Sequence, residues 1–240
     1  QQVSGPWAGL TSFMRSHLWW HLALFHLELG DDTAALDLYD RQVWGVDKSY
    51  SQDQVGAVSL LARLELAGVA VGERWDELAG HLTGRVHDQV QPFLDLQYLY
   101  GLARAGRPEA EALLAAIEAH APHAPGAQRP AWLQVAVPAA HGLMAHARGH
   151  WAQAADGLAV ALPRLVMIGG SHAQRDLFEQ LHIDALVRSG WFAAAQHLLQ
   201  PQSNAQPQSQ RLLRRLHEVY AGLGLRSEEH TSELQSHLCI

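Results

Sequence analysis

The chain has 240 residues, of which 48% are hydrophobic and 17% are charged. This composition supplies a sizeable core and excludes intrinsic disorder of the whole chain. The formal net charge is −7, and the one basic cluster is Arg211, Arg214 and Arg215, so we expect no nucleic-acid partner. There is one cysteine and no apolar run long enough to cross a bilayer, so we expect no disulfide framework, no membrane association and a cytoplasmic location.

The first clear unit of the chain lies between residues 16 and 43. Apolar residues recur there every three or four positions, which predicts amphipathic helices. One helix is predicted to end near Leu29, a tight turn follows at Gly30, and a second helix begins after it. The aromatic, small and glycine positions of the tetratricopeptide pattern are held here by Trp19, Leu22, Ala23, Gly30, Ala35 and Tyr39.

The same glycine turn recurs at Gly106, Gly149 and Gly190, at intervals of 41 to 43 residues. An ideal tetratricopeptide repeat is shorter, at about 34 residues. The repeats are therefore interpreted as degenerate, with longer helices or connectors. Gly142 and Ala154 occupy the small positions around the second of these turns, where two helices are expected to approach closely.

Further helices are predicted over residues 54–67, 73–86 and 210–223 from their apolar periodicity. Proline-containing polar stretches at 119–130 and 200–209 are predicted to be exposed connectors. Together these elements predict an all-α fold, a tetratricopeptide-like right-handed α-solenoid of about five antiparallel helix pairs.

This helical array is assigned to residues 1–225. The remaining segment, 226–240, reads RSEEHTSELQSHLCI. From Arg226 to Ser236 it matches, codon by codon, the translation of a common sequencing adapter. We therefore interpret 226–240 as non-native sequence and assign no function to it.

Three segments carry a family resemblance. They are HLWWHLALFHLELGDDTAALDLYD at 17–40, RLELAGVAVGERWDELAGHL at 63–82, and LVMIGGSHAQRDLFEQLHIDALVRSGWFAAAQHLL at 165–199. In this order they resemble the C-terminal half of the tetratricopeptide repeat protein 38 family, and the Gly-Gly-Ser-His-Ala-Gln-Arg-Asp core at 169–176 is the most specific part. The resemblance covers most of 10–223. It implies a helical-repeat fold and the absence of the family's N-terminal half, and it implies no particular activity.

Two histidines at helical spacing are the first candidate ligands. His17 and His21 are four residues apart, so they share one face of the first helix, as the histidines of a zinc site do. A zincin motif would have Glu after the first histidine, and here that position is Leu18. The alternative is that these histidines line a groove without binding metal.

The tetratricopeptide pattern places His17, Trp20 and Leu24 on the concave side of the first helix. Trp20 beside histidines would form a ligand platform with an apolar surface and polar tips. The alternative is that Trp20 packs in the core.

A second candidate segment begins at Ser171, after two glycines that end the preceding helix. Ser171 is predicted to cap the next helix, and Asp176 is well placed near the positive end of its dipole. Arg175 is expected to pair with a carboxylate across a repeat interface or to bind an anion. The alternative is an ordinary helix start with no ligand.

From these patterns we predict a protein-interaction scaffold that binds a peptide or protein partner in its concave groove. The alternative is a small-molecule or metal-dependent enzyme. Its site would be shared between the absent N-terminal half and the region of His17, His21, Gln174 and Arg175. No Gly-x-Ser-x-Gly elbow is present, and no catalytic residue, cofactor or metal is predicted. The predicted groove residues are His17, Trp20, His21, Leu24, Gln174, Arg175 and Asp176.

Overall fold

A computed structural model of the chain describes residues 7, 10–45 and 47–225, and it has helices and no strands in this part. The all-α prediction is confirmed. None of these helices combines the length and the apolar character that a bilayer-crossing segment requires. The α-helices are α1 (Ser12–Leu29), α2 (Asp32–Leu38), α3 (Ser51–Leu66), α4 (Arg74–Leu82), α5 (Pro92–Arg104), α6 (Glu109–His120), α7 (Arg129–Ala131), α8 (Val137–Ala147), α9 (Trp151–Ala161), α10 (His172–Arg188), α11 (Phe192–Ala205) and α12 (Gln210–Gly222).

Most of the tight turns between helices have the same construction. At the end of α1, the backbone of Gly30 is left-handed, with a φ of 76°. The amides of Gly30 and Asp31 donate to the carbonyl oxygens of Leu27 (3.1 Å) and His26 (2.8 Å), which the end of the helix would otherwise leave unpaired. The predicted turns at Gly30, Gly106, Gly149 and Gly190 are confirmed, and Gly68 adds a fifth of the same kind.

Two predicted connectors are shorter in the structure than in the sequence interpretation. Helix α6 runs to His120, so the first connector loses its predicted start. Helix α11 continues through Pro201 to Ala205, so most of the segment predicted as a connector at 200–209 is helical. Pro201 is exposed, and water can therefore hydrogen-bond the carbonyl group that the missing proline N–H leaves free.

Helices α7 and α8 run on from one another through a π-helical turn, Trp132–Ala136. Pro138 at the start of α8 has no N–H, and its ring would press on the carbonyl group four residues earlier in a regular α-helix. The wider π turn relieves that contact. The same turn places the Trp132 ring in the core, where it is fully buried.

Most helices pack on helices that are near them in the chain, and α10 and α12 also pack on early helices. Helix α1 packs on α2 and α3, α3 on α4 and α5, α5 on α6 and α8, and α8 on α9. Helices α9 and α11 both pack on α10, and α11 packs on α12. Two further contacts join distant parts of the chain, because α10 also packs on α3, and α12 packs on α1. The last helices of the described part therefore pack back on the first ones.

Polar groups join the last helix to the first. Glu28 of α1 accepts from Arg211 Nε at 2.6 Å and also from the hydroxyl of Ser209, the N-cap of α12. Arg214 Nη1 donates to Asp32 Oδ2 of α2 at 2.8 Å. These contacts fix α12 against α1 and α2 by charge-assisted hydrogen bonds, the stronger class of protein hydrogen bond.

Helices α8 and α9 approach most closely at two glycines. A Cβ atom added to Gly142 would lie 2.9 Å from the backbone nitrogen and from Cγ of Leu158. A Cβ added to Gly157 would lie 2.9 Å from the backbone of Gly142. The small positions predicted at Gly142 and Ala154 fit this crossing, since Ala154 is also fully buried.

Candidate functional site

The structure brings the two predicted groove segments together at a narrow cleft between α1, α3 and α10. His17 and Trp20 line one side, and Gln174 from the first turn of α10 lines another. The cleft has a volume of about 10 Å³. A single water needs about this much space, so the cleft has no room for a peptide or an organic ligand.

The rings of His17 and His21 lie next to each other on α1. His17 Nε2 lies 3.2 Å from His21 Nε2, so the neutral rings share one hydrogen bond. Burial lowers the pKa of both rings, and the neighbouring His21 lowers the pKa of His17 further. No group of three or more potential metal ligands is assembled in the part of the chain that the structure describes.

Trp20 belongs to the core, and it is not an exposed platform. Its side chain is 2% exposed. The His17 ring stacks on it with centroids 5.5 Å apart, and the guanidinium of Arg63 lies 5.7 Å from its ring centroid. Leu24 is partly buried against the same core. Of the two alternatives for Trp20, core packing is the one that this geometry supports.

The start of α10 is occupied by local capping. The amide of Gln174 donates to Ser171 Oγ at 3.3 Å, and the amide of Ser171 donates to Gln174 Oε1 at 2.8 Å. This is a capping box, so the predicted cap at Ser171 is confirmed. Arg175 Nη1 donates to the carbonyl oxygens of Gly169 and Gly170, which agrees with the alternative of an ordinary helix start.

The cation that links α3 to α10 is Arg63 of α3. It is 3% exposed, and its Nη2 donates to the carbonyl oxygen of Ala173 at 2.8 Å. The same nitrogen lies 3.5 Å from Asp176 Oδ2. Arg63 is one charged residue in the apolar run of α3, and that is the sequence signal by which it could have been found.

Behind Arg63 lies a larger cavity of about 230 Å³, between α1, α3, α10, α11 and α12. Its lining combines apolar side chains with four guanidinium groups and one carboxylate, Glu218. The sequence shows three of these arginines as the basic cluster of α12, but no pattern places that cluster beside α3. The apolar and cationic residues of the lining include Leu27, Arg63, Leu66, Ala67, Ile183, Leu199, Arg211, Arg214 and Arg215.

A buried polar network supports one of the cavity arginines. Asp184 accepts from Arg215 Nη2 at 2.9 Å and from Arg188 Nε at 3.0 Å, and it lies 3.1 Å from His146 Nε2. His146 Nδ1 lies 3.1 Å from the hydroxyl of Tyr100. Burial opposes ionisation of Asp184, but the His146 hydrogen bond and the neighbouring positive charges outweigh it and lower its pKa to about 2. The Asp184 carboxylate therefore holds Arg215 as a fixed cation.

Asp95 of α5 is a buried carboxyl group without such partners. Among the described residues neither of its oxygens has a hydrogen-bond partner. Burial, with a smaller effect of Asp88, raises the pKa of Asp95 to about 7. Because the unfolded chain ionises Asp95 at lower pH than the folded chain does, this group makes the fold less stable as pH rises from about 4 to 7.

Asp95→Asn is therefore expected to raise the free energy of unfolding by about 2 kcal/mol at pH 8, since it removes a buried charge. At pH 3 the gain should vanish, because the wild-type carboxyl is then protonated in both states. Urea unfolding at the two pH values measures the difference. Asp156→Asn, an exposed aspartate on α9, is the control and should show no such pH-dependent gain. An Asp95→Asn effect that is equal at both pH values would contradict this account.

Comparison with known proteins places no further constraint on the site. No model of a protein family matches the chain, and no solved structure matches it significantly. The class that the described residues define is an all-α protein with an arginine-lined cavity at the point where the helix array closes.

Proposed function

We propose that this chain is a tetratricopeptide-like solenoid that acts as a cytoplasmic protein-interaction scaffold. Support for the repeat assignment comes from five left-handed glycine turns between Gly30 and Gly190, at intervals of 38 to 43 residues. Arrays of this kind present helix faces to partner proteins. The narrow cleft at His17 and Gln174 is too small for a peptide, so the partner is proposed to bind elsewhere.

The observation that carries the proposal is an apolar stripe along the outer face of α1. The residues recur at intervals of three and four, so they lie on one helix face. Phe25 is 64% exposed and Leu29 is 72% exposed, an unusual display for large apolar side chains. The α1 stripe consists of the exposed residues Met14, Phe25 and Leu29 and the partly buried residues Leu18 and Leu22.

The partner proposed for the α1 stripe is an amphipathic helix of another protein. Helix α1 has 18 residues, which gives a contact line of about 27 Å. A partner helix would set its own apolar residues against this line. The predicted groove residues His17, Trp20 and His21 then support α1 from behind, and they are not the contact surface.

The test is affinity capture with the full chain and quantitative mass spectrometry. Phe25→Ser with Leu29→Ser is expected to abolish capture of a partner that the wild type retains. Val160→Ser is the matched control, because Val160 is also an exposed apolar residue but lies on α9. Circular dichroism should show that all variants stay folded. Identical captured proteins for the wild type and the α1 variant would overturn the proposal.

A further inference from the structure

We propose that the cavity between α1, α3, α10, α11 and α12 binds a small organic anion, with one oxyanion group on a short apolar chain. This site is separate from the α1 stripe, and the inference does not depend on the proposed scaffold function. The oxyanion is a carboxylate or a phosphate, since guanidinium groups bind both.

The polar part of the cavity lining consists mainly of guanidinium groups. Arg63, Arg211, Arg214 and Arg215 reach it, and Glu218 is its one carboxylate. Glu218 already accepts from Arg215 Nη1 at 2.9 Å. The other carboxylates that pair with these arginines lie outside the lining, so the charged groups that face a ligand are mostly hydrogen-bond donors.

The arginines are held in place from outside the cavity. Glu28 holds Arg211, Asp32 holds Arg214 at 2.8 Å, and Asp184 holds Arg215 at 2.9 Å. Among the described residues Arg211 donates through Nε alone, so its two terminal amino groups keep their donors for a ligand. Such fixed donors bind an oxyanion with little loss of side-chain freedom.

Arg63 is the most buried of the four cavity arginines, with 3% of its side chain exposed. Burial lowers its pKa to about 10, opposed in part by the charge of Asp176 and aided by that of Arg211. The cavity side of Arg63 is therefore a place where positive charge is poorly solvated. A bound anion would offset that cost.

The apolar residues of the lining determine the rest of the ligand. Leu27, Leu66, Ala67, Ile183 and Leu199 offer contacts that a strongly hydrated inorganic ion would not use. The cavity volume of about 230 Å³ is far above the 10 Å³ of the cleft at His17, so an organic ligand has room to bind. Hexanoate, a carboxylate on a short alkyl chain, is the first probe.

Isothermal titration of the full chain tests the proposal with hexanoate, hexyl phosphate, hexanol, hexylamine and acetate. Hexanoate or hexyl phosphate should bind with one-to-one stoichiometry, and the stronger of the two identifies the oxyanion. Hexanol, hexylamine and acetate should each bind at least about tenfold more weakly, because each lacks the charge or the apolar chain. Equal binding of hexanol, equal binding of acetate, or no binding of any probe would overturn the proposal.

Two variants locate the ligand in this cavity. Arg211→Gln should weaken binding of the preferred probe by about tenfold or more, because it removes a charge-assisted contact. Ala67→Leu should do the same by filling the apolar end, and it leaves every arginine in place. Arg164→Gln is the control, since Arg164 is exposed and lies outside the cavity. If both cavity variants bind as tightly as the control, the site is elsewhere and the proposal fails.

Discussion

Gly142→Val is expected to lower the free energy of unfolding by about 3 kcal/mol, because α8 and α9 leave no space for a side chain where they cross. The nearest atoms include the backbone nitrogen of Leu158, 2.9 Å from the position of an added Cβ, and backbone cannot rotate away as a side-chain tip can. The two helices must separate, and buried neighbours such as Ala154 and Leu158 then lose contacts. Urea unfolding followed by circular dichroism measures the change.

Gly80→Ala is the matched control for this experiment. Gly80 is an exposed residue of α4, and an added Cβ there meets nothing within 4 Å. Alanine is the better helix former by about 1 kcal/mol, so this variant should be stabilised. Opposite signs for the two glycine substitutions are expected. A Gly142→Val protein as stable as the wild type would mean that the close crossing of α8 and α9 is wrong.

The second large effect is expected at Arg63. Arg63→Ala should cost about 3 kcal/mol, since it removes buried charge-assisted hydrogen bonds and leaves a void beside Trp20. The lost contacts include the bonds to the carbonyl oxygens of Ser59 at 3.2 Å and Ala173 at 2.8 Å. Thermal and urea unfolding both report this change.

An exposed arginine–aspartate pair is the control for the Arg63→Ala measurement. Arg41 is 73% exposed and pairs with Asp37 at 2.7 Å on the same helical segment. Arg41→Ala should cost no more than about 0.5 kcal/mol, as is usual for pairs in water. If Arg63→Ala were as mild as Arg41→Ala, Arg63 would not be the buried link between α3 and α10.

The sequence predicts the helices and their turns because both depend on local residues. Apolar periodicity with Gly30 predicts the end of α1, and periodicity alone predicts a helix over 210–223. The structure places both within a few residues of the predicted positions. The prediction of a connector at 200–209 is wrong up to Ala205, because a polar stretch that contains proline can still be helical. On an exposed helix face, water replaces the hydrogen bond that Pro201 cannot make.

The site is harder to predict because it depends on contacts between helices that are distant in the chain. The sequence prediction assigns His17, Trp20 and Gln174 to one groove, and all three line one cleft. It does not predict that the cleft between them is nearly filled, since this results from the packing of α10 on α3. Nor does any local pattern bring Arg211, Arg214 and Arg215 beside Arg63, which is about 150 residues earlier in the chain.

The cavity exists because α10 packs on α3 and α12 packs on α1. This packing is the central claim to test. Arg63 and Asp176 lie far apart in sequence, and they come within 3.5 Å where α3 meets α10. A double-mutant cycle with Arg63→Ala and Asp176→Ala should give a coupling energy of about 1 kcal/mol. Arg63→Ala with Asp156→Ala, an exposed aspartate of α9, should be additive. Additivity in the Arg63 and Asp176 cycle as well would contradict the closed arrangement and the arginine-lined cavity that depends on it.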